Sequence, residues 1–103
     1  MARFDVYRNP DKSEQSEVPF YLDVQNSFVE VDTRAVLPIV ELDYLRRATR
    51  DLNPELTILG KTYILNTSAI GAIPLSELRR PVENIAAQQD FIQQALDTLF
   101  GSY

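Results

Sequence analysis

Val18-Pro19-Phe20-Tyr21-Leu22-Asp23-Val24-Gln25 alternates large apolar residues with polar or amphipathic ones, and this run decides the fold. Successive strand side chains point to opposite faces, so Val18, Phe20, Leu22 and Val24 form one face built for burial. Upstream, Phe4 and Val6 alternate with Asp5 and Tyr7, which predicts a strand near residues 2–8. The intervening residues 9–17 are polar and carry no periodicity, so they read as a mobile hairpin loop. Downstream, residues 28–32 suit either a short strand or an irregular segment. Ala35-Val36-Leu37-Pro38-Ile39-Val40 is apolar on both faces, as expected of a covered strand. Pro38 has no N–H for a ladder bond and so belongs at a bulge or an edge.

Beyond this sheet, Leu42, Leu45, Thr49 and Leu52 fall on one helical stripe that Asn53-Pro54 would end. Residues 56–59 and 62–65 flank Gly60-Lys61, a pair suited to a two-residue type II′ hairpin. A last weak strand is expected over 69–73. From about Asn84 the period becomes helical, with Ile85, Ile92, Leu96 and Leu99 in one stripe and Phe91, Ala95 and Phe100 beside it. Asn84 is the expected N-cap. The expected architecture is mainly β: one domain over 1–103, a small antiparallel barrel or curled sheet closed by one C-terminal α-helix.

The 103 residues include no cysteine and no histidine. Disulfides, thiol nucleophiles, zinc fingers and imidazole bases are thereby excluded. The formal charge of -5 disfavours gripping a phosphate backbone, and three glycines cannot build a phosphate cradle. No signal peptide or membrane-length apolar run is present, so a cytoplasmic protein without membrane contact is expected. No carboxylate pair sits in a recognisable acid–base motif, and no spacing specifies a metal, so neither catalytic residue, metal nor cofactor is expected.

Two features ask for a partner. Arg46, Arg47 and Arg50 cluster in one short segment of an acidic chain, and Arg79-Arg80 precede the last helix. They read as a solvated face, a docking patch for an acidic peptide, or a nucleic-acid contact. The chain also closes on Phe100-Gly101-Ser102-Tyr103, where polar residues are usual. Its aromatics either fold back on the core or form a tip offered to a partner.

Several stretches in order resemble the CcdB family of toxin–antitoxin toxins. They are Phe4-x-Val6-Tyr7, Leu22-Asp23-Val24-Gln25, Thr33-Arg34-Ala35-Val36-Leu37-Pro38-Ile39, Ala72-Ile73-Pro74-Leu75, and the last helix through Ala95-Leu96-Asp97. The resemblance implies an SH3-like barrel with a small extra sheet, of the kind shared with Kid and MazF toxins, assembled as a homodimer. It implies a non-enzymatic inhibitor that binds the A subunit of DNA gyrase, traps the cleaved DNA complex, and contacts no nucleic acid directly. By position, the gyrase contact falls on Asn26, Phe28, Asp97, Phe100, Gly101, Ser102 and Tyr103. A cognate CcdA-like antitoxin would contact Asn9, Asp11, Arg46, Arg47 and Arg50. At the tip the sequence departs from the family, which ends Trp-Gly-Ile where this chain has Gly101-Ser102-Tyr103. The alternatives are a same-fold, RNA-cutting Kid/MazF-like toxin and a decayed, non-toxic CcdB homologue.

Overall fold

The alternating run forms the middle of the sheet. In a computed structural model that describes residues 1–45 and 47–101, Phe20–Asp23 (β2) lies between Asp5–Arg8 (β1) and Thr33–Val40 (β3), antiparallel to both. Arg46, Ser102 and Tyr103, all named above as contacts, lie outside the described residues. The registers Val6↔Leu22 and Leu22↔Leu37 put three fully buried side chains in one row across three strands. That row is the centre of the core. β1 is shorter than expected because Phe4 turns into the left-handed region (φ 73) while its N–H donates to the Asp23 carbonyl at 2.7 Å. The kink buries the Phe4 ring and costs the strand its first residues.

Glu55–Ile58 (β4) and Lys61–Leu65 (β5) form the expected hairpin, but its turn lies one residue earlier. Leu59 (φ 50) and Gly60 (φ 80) both have positive φ, which makes a type I′ turn instead of II′. Gly71–Pro74 (β6) pairs with β3 over Thr33–Val36, whereas β5 pairs with Ile39 and Val40. Pro38 sits where β3 changes partner. Its carbonyl accepts the Asn66 N–H at 2.9 Å, so its missing donor faces that same break. Residues 28–32 are irregular.

The expected helix at 42–52 is absent. The described residues there form isolated turns with Leu42 and Tyr44 exposed. Asn53 explains this: its Oδ1 accepts the Thr49 N–H and its Nδ2 donates to the Leu65 carbonyl. A side chain that captures a backbone donor competes with helical bonding.

Glu83–Asn84 (β7) pairs with β1, giving the sheet order β4-β5-β3-β2-β1-β7. Side chains bridge the remaining gap. The Gln88 carboxamide accepts the Thr57 N–H at 3.0 Å and donates to the Thr57 carbonyl at 2.9 Å, while Glu83 accepts the Leu59 N–H at 2.8 Å. The result is a near-closed, SH3-like barrel. The helix Gln89–Phe100 (α1) starts later than expected, after a 3-10 turn at Ala86–Gln88. Asn84 therefore caps no α-helix; its Oδ1 accepts the Ala86 N–H and its Nδ2 reaches Arg3 and Asp5. α1 drives Ile92, Ala95 and Leu96 into the core and ends at Gly101 (φ 69), whose N–H donates to the Asp97 carbonyl. No helix among the described residues is long and apolar enough to cross a membrane.

Candidate functional site

Charge lies beneath the barrel surface. Asp23 ends β2 fully buried, and Arg34 enters β3 opposite it. Arg34 Nε donates to Asp23 Oδ2 at 2.7 Å and its Nη2 to Oδ1 at 3.0 Å. Asp23 Oδ1 also accepts the Gln25 N–H, and Arg34 Nη2 reaches the Gln25 carbonyl. Gln25 Oε1 in turn accepts the Ala35 N–H. The pair thus fixes the chain as it leaves β2.

Tyr7 lies beside this pair, its hydroxyl donating weakly to Asp5 Oδ2 at 3.4 Å. Burial first, and then the Asp5 and Asp23 carboxylates, push its phenol up from 10.0 to about 12, against an opposing effect from Arg34. The folded chain therefore holds this proton more tightly than the unfolded chain does. The stability Tyr7 contributes is complete below pH 10 and is lost as pH rises towards 12. At roughly 1.4 kcal/mol per pH unit the loss reaches about 3 kcal/mol. Urea unfolding of the wild type and of Tyr7→Phe across this range reads the difference. Curves that stay parallel through it would refute the assignment.

A hydrogen-bonded chain joins the two ends of the molecule on one face. The Arg3 N–H donates to Ser27 Oγ, its Nε to the Val24 carbonyl, and its Nη2 to Gln93 Oε1. Gln93 Nε2 then donates to Asp97 Oδ1. Asn26 and Phe28 are thereby brought to the same face as Asp97. Asn26 shapes the turn by accepting the Phe28 and Val29 N–H groups, which leaves Phe28 93% exposed. Phe100 is 67% exposed, so it does not fold back on the core, and Gly101 terminates α1. A hollow of about 400 Å³ opens here between Met1, Ser27, Val29, Glu30, Val31, Arg34 and Leu75. Its cation, Arg34, is already paired with Asp23.

The residues expected to meet an antitoxin are not alike. Asn9 is 1% exposed and holds the 9–19 loop together: its N–H and Nδ2 bond Pro19 and Val18, and its Oδ1 accepts the Asp11 N–H. That loop covers Tyr21, whose phenol is raised by burial and then by Glu14 and Asp11. Asp11 itself is exposed and accepts bonds from Ser13. Arg47 and Arg50 are exposed.

Arg50 leads to a second depression, with more varied chemistry. A hollow of about 470 Å³ is lined by Arg50, Asp51, Pro54, Phe91 and Gln94. It forms where the loop after β3 meets the outer face of α1, and Gln94 Nε2 donates to Asp51 Oδ1 across the join at 3.3 Å. A guanidinium, a carboxylate, an amide and an open aromatic ring share one cavity. Sequence reasoning singled out Arg50 but missed Asp51, Phe91 and Gln94. The one available signal was Phe91, a large apolar residue placed just off the helical stripe. Among the described residues, no three His, Cys, Asp or Glu side chains converge to hold a metal ion.

The family profile of the CcdB protein matches residues 3–101. The chain belongs to the CcdB family. Its role is accordingly that of the toxin in a toxin–antitoxin module. No curated protein sequence matches the chain significantly. Among solved structures, the barrel is similar to one described as an endoribonuclease in complex with its cognate antitoxin from a mycobacterial species. That match has a TM-score of 0.77 at 20% identity and covers 98% of this chain and 95% of the other. At that identity the likeness establishes the fold. It nevertheless corrects three expectations for this CcdB-family chain: that it is a non-enzymatic inhibitor, that DNA gyrase is its target, and that it makes no direct contact with nucleic acid. The barrel on which those expectations rested also belongs to a protein named for cutting RNA. Neither the fold nor the missing histidine supports excluding that chemistry, because a carboxylate beside a guanidinium can supply it.

Proposed function

We propose that this CcdB-family chain is a cytoplasmic toxin that cleaves RNA, that its single domain over 1–103 carries the site, and that a cognate antitoxin silences it. The observation that carries the reading is the meeting of Arg50 and Asp51 with Phe91 and Gln94 in one hollow. RNA supplies its own nucleophile, so the protein needs only to move a proton and to neutralise charge. Asp51 takes the 2′-hydroxyl proton as the O2′–P bond forms. The Arg50 guanidinium faces the charge that builds on the non-bridging phosphate oxygens. The P–O5′ bond breaks, water protonates the leaving 5′ oxygen, and a 2′,3′-cyclic phosphate remains.

Control of the site follows from the same residue. Arg50 also belongs to the arginine segment suited to an antitoxin, together with Arg47, and Asp11 is a further exposed contact, whereas Asn9 is buried and only shapes its own loop. An acidic segment that folds onto Arg50 would close the hollow, and coupled folding gives such a contact switchable affinity.

The test is incubation of the purified protein with a mixed-sequence single-stranded RNA, alongside a gyrase supercoiling assay. Expected are shortened RNA with new 5′-hydroxyl ends and unimpaired supercoiling. Intact RNA would overturn the proposal, whether or not supercoiling were inhibited.

A further inference from the structure

Phe91 is 59% exposed although it lies on the core-bearing helix, one position from the fully buried Ile92. Its ring forms a wall of the hollow that holds Arg50, Asp51 and Gln94. An apolar ring kept open beside three polar side chains gains nothing from packing. Resting on the RNA-cleaving reading, we infer that Phe91 is the platform on which one unpaired base of the substrate stacks, setting the adjoining phosphate over Arg50.

Three observations support this. With a net charge of -5, the chain has little counterion-driven grip on a nucleic-acid backbone beyond the local arginines Arg47 and Arg50. Affinity must then come from another source, and base–aromatic stacking is the sequence-tolerant one. The hollow, at about 470 Å³, lies within the range of single small-ligand sites, the scale of one nucleotide. Finally, Gln94 Oε1 accepts no bond from the described residues while its Nε2 holds Asp51, so an acceptor remains beside the ring for the edge of a stacked base. Phe91 is therefore a positioning residue: it touches the substrate base and acts on the reaction through where the phosphate falls. Substrates whose bases stay paired are refused.

Binding can be measured apart from cleavage with a single-stranded DNA oligonucleotide that carries 2-aminopurine, which lacks the attacking 2′-hydroxyl. Expected is quenching of 2-aminopurine on binding the wild type, with much weaker binding of the same oligonucleotide as a duplex. Phe91→Ala weakens single-strand binding on the order of five- to hundredfold, the range of one lost base stack. Phe91→Trp restores both binding and quenching. Because the ring lies outside the core, both variants keep the wild-type unfolding midpoint. Unchanged binding by Phe91→Ala, or equal binding of duplex and single strand, would overturn the inference. Stacking without any RNA cleavage by the wild type would instead sink the activity and leave the platform standing.

Discussion

Replacing Asp23 with alanine lowers the unfolding free energy by about 3–5 kcal/mol, a large share of what a domain of this size possesses. The expectation follows from how the pair is placed. The side chains of Arg34 and Asp23 are 5% and 0% exposed, so removing the carboxylate leaves a guanidinium inside the barrel without a counter-charge. Beside β2 and β3, where the registers Leu22↔Leu37 and Asp23↔Val36 are set, only the hollow it shares with Ser27 and Leu75 offers it water. The Gln25 N–H loses its acceptor in the same step. Thermal or urea unfolding measures the loss, which corresponds to a fall in melting temperature on the order of 15 °C or more. A double substitution, Asp23→Leu with Arg34→Met, should recover most of it, because two apolar side chains leave no stranded charge. A melting temperature within a few degrees of wild type for Asp23→Ala alone would show that the guanidinium finds solvent.

That pair also marks the limit of what patterning reveals. Period-two alternation made Val6, Leu22 and Leu37 legible as one buried row, and the register bears it out. The same alternation assigned Asp23 to a polar, outward face, whereas the side chain is fully buried. Its partner lies 11 positions away on another strand, and a single strand's periodicity contains no information about it. Local signals failed wherever one side chain redirected the backbone. Asn53 holds the Thr49 N–H, and the helix expected at 42–52 does not form. Gln88 lends its amide to Thr57, which makes it a seam of the barrel and leaves the N-terminus of α1 without a side-chain cap. Leu59 accepts a left-handed backbone that propensity assigns to glycine, and the hairpin turn moves by one residue.

The hollow was hidden for the same reason. Arg50 stood out by charge, but the residues that complete its surroundings come from α1, and Gln94 meets Asp51 across 43 positions. Nothing in either segment alone hints at the other. Net charge and the absence of histidine described the whole chain, whereas chemistry depends on what a few side chains do within one cavity. The apolar stripe of α1 was legible through Ile92 and Leu96. Its neighbour Phe91 was grouped with them by hydrophobicity and parts from them by exposure.

Asp51→Asn reduces RNA cleavage by about 10²- to 10⁴-fold, the range for losing a general base. The substitution is chosen to change one property. An asparagine Oδ1 still accepts the bond that Gln94 Nε2 now donates, so the loop stays joined to α1 while the basic oxygen pair disappears. Both residues are exposed, and a surface exchange of this kind shifts stability by roughly 0.5 kcal/mol or less. The loss should therefore appear in kcat with KM little changed, as for an interaction made in the transition state. Arg50→Ala should cost about 10²- to 10³-fold, since the charge it faces also builds only as the phosphate reacts. Arg50→Lys should recover little, because a point charge does not reproduce the planar guanidinium fork. The two losses would not add in Asp51→Asn with Arg50→Ala, because residues that act on one transition state fail as a unit. Full activity in Asp51→Asn would remove the base from this hollow. Full additivity in the double variant would mean that the two residues serve different events, and the site would have to be sought elsewhere on the barrel.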